Sequence, residues 1–221
     1  MVVYGDSQSI QWLGSFDKLA KSNNEKLYFF SKVGCEPWMT PGTTIVGPSA
    51  FQCQQFAQFA RSKIKALHPQ QIFVVSGKLV TEGYQPERDD PYIIGLLRSM
   101  KMLSPVVVTL SNIPWTDIFP PICLSVNAGD ISKCNIPISD VYTVKNRFDE
   151  GLQKDAAAAR VTDLNITPLF CDTRTCPRVI SNVLVYADSK HFTWQYDNYI
   201  SNAFIQIATP TLTSQPHKLQ K

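Results

Sequence analysis

No apolar run in this chain approaches the ~18 residues needed to span a bilayer. The stretch 113–124 is apolar, but Pro114, Pro120 and Pro121 break it. Only Met1-Val2-Val3-Tyr4 precede Gly5, with no charged n-region and no cleavage site of a secretory signal. An excess of one charge is missing too. The 21 Lys and Arg against 18 Asp and Glu leave a net charge of +3. No basic stripe forms, so a nucleic-acid partner is set aside. Metal is disfavoured: Cys171-x4-Cys176 resembles a ligand pair, but no second pair or nearby histidine completes a zinc site. Histidine itself is scarce, with three in the chain.

What is present is a chain of 221 residues, 44% hydrophobic, enough for one substantial core. A single domain over 1–208 is expected, followed by a polar tail, 209–221, expected to be disordered. Six cysteines fall into three local pairs, which points to an oxidising compartment. The sequence-local pairing is Cys35–Cys53, Cys123–Cys134 and Cys171–Cys176; six buried free thiols in a cytosolic protein are the alternative. Disulfides without a signal peptide imply a domain cut from a longer chain whose upstream part supplies the targeting.

Short apolar strands alternate with amphipathic helices. Strands are expected at 2–4, 27–33, 72–76, 105–110, 161–169 and 183–186. Helices are expected from 7 onward, at 49–67, 91–103 and 148–160, and after Thr193, which can cap the last one. A loop is expected over 113–139. The pattern predicts an α/β three-layer sandwich with a mainly parallel sheet of about five strands, of the flavodoxin-like kind. Ligands bind such sheets beyond the carboxyl ends of the strands. Gly5-Asp6-Ser7, Gly34, Ser76-Gly77 and Asn112 all follow strands and would share that edge.

Two short stretches carry the chemistry. Ser7 lies at a strand–helix junction, where its hydroxyl would stand above the sheet edge and its own N–H could face a developing oxyanion. The bland alternative is an ordinary helix cap. A serine nucleophile needs a base. His217 falls in the tail and His68 at the opposite end of the sheet, which leaves His191. It stands three residues after Asp188, close enough for the carboxylate to hold one ring nitrogen while the other faces serine. The alternative here is an ordinary turn.

Gly5-Asp6-Ser7 with Asp188-x-x-His191 resembles the SGNH (GDSL-type) hydrolase superfamily over almost the whole chain. The sequence is most similar to SGNH domains fused to membrane-embedded acyltransferase family 3 proteins. Those also carry a cysteine pair shortly before Asp-x-x-His, as Cys171 and Cys176 stand before Tyr186-Ala187-Asp188-Ser189-Lys190-His191-Phe192-Thr193 here. The resemblance implies Ser7 as nucleophile, His191 as general base and Asp188 as its orienter, with no metal and no cofactor. It implies oxyanion donors at Ser7 and Gly34, with a Cys35–Cys53 bridge bracing the Gly34 loop. The family's Gly-x-Asn-Asp block is replaced by Gly77-Lys78-Leu79-Val80, so the third donor is missing; Ser76, Gly77 and Lys78 are the substitutes on offer.

The function so implied is O-acyl transfer, with acetyl the expected group, to an extracytoplasmic glycan or lipid. A membrane acyltransferase domain would deliver the acyl donor. The alternatives are an esterase or deacetylase of the same class, a non-catalytic glycan-binding module on this fold, and an α/β domain whose Gly-Asp-Ser is coincidental.

Overall fold

A computed structural model describes residues 1–38, 48–77, 85–114 and 118–213. Five strands form one sheet: β1 (Val2–Gly5), β2 (Tyr28–Ser31), β3 (Gln71–Val75), β4 (Val106–Leu110) and β6 (Thr162–Leu164). Their order is β2-β1-β3-β4-β6, and every pairing is parallel. The central strands are apolar along their length because both faces are covered. Val3, Phe73, Val75, Val108 and Leu110 face one core, with Trp12, Phe16 and Phe204. Val2, Tyr4, Ile72, Val74 and Val107 face the other, with Ile64, Leu97 and Leu152. The first core packs under α2 (Leu13–Ser22) and α7 (Trp194–Thr213); the second under α3 (Pro48–Leu67), α4 (Pro86–Lys101) and α6 (Ile138–Ala159). The fold is the expected three-layer α/β sandwich.

The elements differ from the sequence expectation where packing or capping overrides local preference. The first helix is split into α1 (Ser7–Ile10) and α2, with fully buried Trp12 at the break. Helix α4 begins at Pro86 because the Asp89 carboxylate accepts the Gln85 N–H at 2.8 Å; Pro91 is carried inside it. Helix α6 begins at Ile138, not near 148. Its β-branched start is a poor helix former, but Val141 is buried against Ile136 and Cys176, and burial decides.

The expected loop at 113–139 holds a short helix, α5 (Pro120–Val126), a 3-10 turn at Ile131–Cys134 and β5 (Ile136–Pro137). Strand β5 pairs with β7 (Thr175–Cys176). The stretch expected as a strand at 183–186 lies outside the main sheet. It forms β9 (Val183–Leu184), a hairpin with β8 (Val179–Ile180). Thr193 caps α7 as expected, its hydroxyl accepting the Tyr196 N–H at 3.0 Å. That helix runs to Thr213, so 209–213 are helical; the rest of the tail lies outside the described residues.

The cysteines pair as Cys35–Cys53, Cys123–Cys134 and Cys171–Cys176, and none is free. Three disulfides fit an extracytoplasmic location. No described helix is long and apolar enough to cross a membrane.

Candidate active site

The site begins with Asp6, the residue between β1 and α1. It is 1% exposed, and every oxygen it has is used. One carboxylate oxygen accepts the Gln8 N–H at 2.8 Å and caps α1. The other accepts the Ser76 hydroxyl at 2.7 Å and the Gly77 N–H at 3.2 Å. Its carbonyl accepts the hydroxyls of Ser9 at 2.7 Å and Ser31 at 2.6 Å. Asp6 thereby ties together the carboxyl ends of β1, β2 and β3. Ser76 and Gly77, offered from the sequence as oxyanion donors, spend those donors on Asp6. Lys78 lies outside the described residues.

Gly5 is required by close approach. A Cβ there would sit 2.1 Å from the Val75 carbonyl oxygen and 2.6 Å from Ser9 Cβ. The chain can turn from β1 into α1 against β3 only without a side chain at this position.

That turn presents Ser7. Its hydroxyl lies 3.0 Å from His191 Nε2. His191 Nδ1 lies 2.9 Å and 3.1 Å from the two carboxylate oxygens of Asp188. Asp188 also accepts the N–H groups of Lys190 at 2.7 Å and His191 at 2.8 Å. Partial burial pushes the Asp188 carboxyl up, but the Lys190 N–H and the His191 ring and N–H outweigh it and hold it below the ordinary carboxylate value. Asp188 is therefore an anion at neutral pH, suited to keep the Nδ1 hydrogen and leave Nε2 as an acceptor toward serine.

The turn carrying His191 rests on an aromatic bed. The His191 carbonyl accepts the Ala187 N–H at 2.9 Å, and Tyr186 bridges to Phe192. Phe192 packs edge-on to Trp12 at 4.8 Å and to Phe170 at 5.4 Å. Phe170 directly precedes Cys171, which is bonded to Cys176.

Gly34 follows β2 in a left-handed turn, φ +71°, with nothing within 4 Å of where a Cβ would point. The adjacent Cys35 is bonded to Cys53 on α3. Asn112, after β4, is held by Asp149, which accepts both its backbone and side-chain N–H at 3.0 Å. The Asn112 side chain fills the space beside Gly77, 2.5 Å from a would-be Cβ. Among the described residues, no group of three or more His, Cys, Asp or Glu could hold a metal ion.

Sequence reasoning did not find Asp6 as the hub, Asp149 as the holder of Asn112, or Gln8 and Gln11, which reach across to the turn that carries His191. The signal for the glutamines was their i, i+3 spacing immediately after Ser7, which puts both on one side of α1.

A hydroxyl, an imidazole and a carboxylate stand in series beyond the carboxyl edge of a parallel sheet, an arrangement whose chemistry can activate a hydroxyl for attack on an acyl group. The chain belongs to the family of SGNH domains fused to AT3 domains, whose family model matches residues 1–206. The periplasmic domain of the Salmonella ser. Paratyphi A lipopolysaccharide acetyltransferase is similar in structure, with TM-score 0.71 and 12% identity over 92% of this chain and 83% of that one. A GDSL-like lipase from Bacteroides thetaiotaomicron VPI-5482 has TM-score 0.54 and 15% identity, covering 95% and 86%. The psychrotrophic esterase EstA from Pseudoalteromonas sp. has TM-score 0.56 and 9% identity, covering 96% and 98%. A search of curated proteins finds no matching relative. Family and neighbours support an esterase or acyltransferase class. The family's fusion to AT3 domains suggests a membrane acyltransferase partner domain.

Proposed function

We propose that this domain transfers an acyl group, with acetyl the expected one, to a hydroxyl of an extracytoplasmic glycan or lipid through an acyl-enzyme on Ser7. The observation that carries this reading is the 3.0 Å contact between His191 Nε2 and the Ser7 hydroxyl, with Asp188 on Nδ1. Ser7 Oγ attacks the donor carbonyl while its proton passes to His191 Nε2. Asp188 stabilises the imidazolium. The oxyanion accepts N–H bonds from Ser7 and Gly34. Collapse expels the donor's leaving group, which takes the proton from His191. The acceptor hydroxyl then gives its proton to His191 and attacks the acyl carbon, and the bond to Ser7 Oγ breaks as Oγ takes that proton back from His191.

The AT3 fusion of the family supports a membrane domain of the same longer chain as the source of the acyl group, and the three disulfides support an extracytoplasmic site. A second reading, ester hydrolysis, is favoured by one feature. The His191 and Asp188 side chains are 33% and 41% exposed, so water reaches the base.

The test is labelling of the oxidised protein by a fluorophosphonate. Stoichiometric modification of Ser7, lost in Ser7→Ala and strongly reduced in His191→Ala, is expected. An unlabelled native protein would sink the enzyme reading. Partition of an acyl-enzyme between water and added sugar hydroxyls then separates hydrolase from transferase.

A further inference from the structure

Three hydrogen bonds run in series between the helix that starts at Ser7 and the turn that carries His191. The Phe192 N–H donates to Gln11 Oε1 at 2.7 Å. Gln11 Nε2 donates to Gln8 Oε1 at 2.6 Å. Gln8 Nε2 donates to the Lys190 carbonyl at 3.0 Å. The series begins at the amide after His191 and ends at the carbonyl before it, so both peptide groups flanking the base are held from the nucleophile's own helix.

The polarity of this relay has one solution. A backbone N–H can only donate, so Gln11 must turn its oxygen to Phe192 and its nitrogen to Gln8. Gln8 must then accept with oxygen and give its nitrogen to Lys190, whose carbonyl can only accept. With glutamine kept at one position, the other needs a donor and an acceptor on one side chain of this length, which is the property of glutamine. A carboxylate or thioether at one position alone would break the series.

We propose that Gln8 and Gln11 are positioning residues that set the distance between His191 Nε2 and the Ser7 hydroxyl. Asp188 cannot do this alone. It lies on the same turn as His191 and orients the ring within that turn, not the turn against Ser7. The Trp12–Phe192 contact anchors the base of the turn, but apolar packing is not directional. The glutamines add direction on the half-exposed side, Gln8 as the residue directly after Ser7 and Gln11 one helical turn from it. Displacement of a reacting group by about 1 Å costs up to about 100-fold in rate.

This proposal rests on the Ser7 acyl-enzyme reading, and the experiment separates the two. Fluorophosphonate labelling rates and melting temperatures are measured for the native protein, Gln8→Lys, Gln11→Glu and the double variant. Each single variant places two donors or two acceptors face to face and should slow labelling by about 10- to 100-fold. The double variant restores the series, because the introduced ammonium donates both to the introduced carboxylate and to the Lys190 carbonyl. It should recover most of the lost rate. A merely structural role would leave the singles at native rates, or make rates follow melting temperature without rescue, and either result overturns the proposal.

Hydrogen exchange of the Phe192 amide and the His191 ring nitrogen shifts give a second, catalysis-independent measure. Both should change in Gln11→Met. If the native protein is not labelled, the acyl-enzyme reading fails on its own. If Gln11→Met leaves exchange and shifts unchanged, the relay fails on its own.

Discussion

His191 Nε2 stands 3.0 Å from the Ser7 hydroxyl across a sequence separation of 184 residues. The contact joins the first strand–helix turn of the chain to the turn before its last helix. Both stretches are polar and partly exposed, so their meeting depends on the packed layers beneath them.

Asp188→Asn should abolish most activity without unfolding the protein. The amide oxygen can still accept the Lys190 and His191 N–H groups. The amide nitrogen, however, must donate to His191 Nδ1, which forces the ring hydrogen onto Nε2, facing Ser7. The base is then in the wrong tautomer, and a loss of about 10⁴-fold is expected by analogy with serine proteases. Labelling rate and a melting curve check this; a near-native rate would show that Asp188 does not set the tautomer.

Gly5→Ala should destabilise the fold itself. The added carbon would lie 2.1 Å from the Val75 carbonyl oxygen, inside the β1–β3 pairing. Overpacking against backbone typically costs about 1–3 kcal/mol, and this site has no flexible neighbour on the β3 side, so about 3 kcal/mol is expected. Urea denaturation measures it; a change under about 0.5 kcal/mol, the usual range for surface substitutions, would refute the close-approach account.

Asp155 gives stability a specific pH dependence. It is 2% exposed, and burial first, then the neighbouring Asp90 carboxyl, push its pKa up to about 7 from 3.8. The folded state therefore keeps a proton that the unfolded chain has released. That contribution is complete below pH 3.8 and is lost as pH rises through about 7. Asp155→Asn removes the titration. It should gain on the native protein at pH 8 by on the order of a few kcal/mol, with the gain shrinking toward pH 4. Urea melts at several pH values test this; a pH-independent difference would count against it.

Replacing Cys35 and Cys53 together by Ser should lower stability and activity by separable amounts. The bridge closes a sequence separation of 18, worth about 3 kcal/mol in the chain-entropy model. Cys35 also follows Gly34, the proposed oxyanion donor, so labelling should slow even well below the melting temperature. A fully active, merely less stable variant would show that the β2 turn alone places Gly34.

The parallel sheet was legible because its strands are buried on both faces, and the apolar runs of β1, β3 and β4 leave little else they could be. The grouping of Ser7, Asp188 and His191 was legible by scarcity, with one of three histidines placed near a suitable carboxylate. The disulfides were legible because each pair is local. The start of α6 was not, since Ile138 and Val141 favour strands and it is the burial of Val141 against Cys176 that fixes the helix start. Nor was the fate of Ser76 and Gly77, whose donors are drawn to Asp6.

By itself the sequence determined the fold class, the cysteine pairing and the grouping of Ser7, His191 and Asp188, because these follow from local apolar patterning, short loop closures and the scarcity of histidine. Tertiary structure alone decided that the Ser76 and Gly77 donors go to Asp6 and what holds His191 to Ser7. Hydrogen bonds such as Gln8 to Lys190 join residues 182 positions apart and leave no periodic trace in the chain. They exist only once the two cores have brought the ends together.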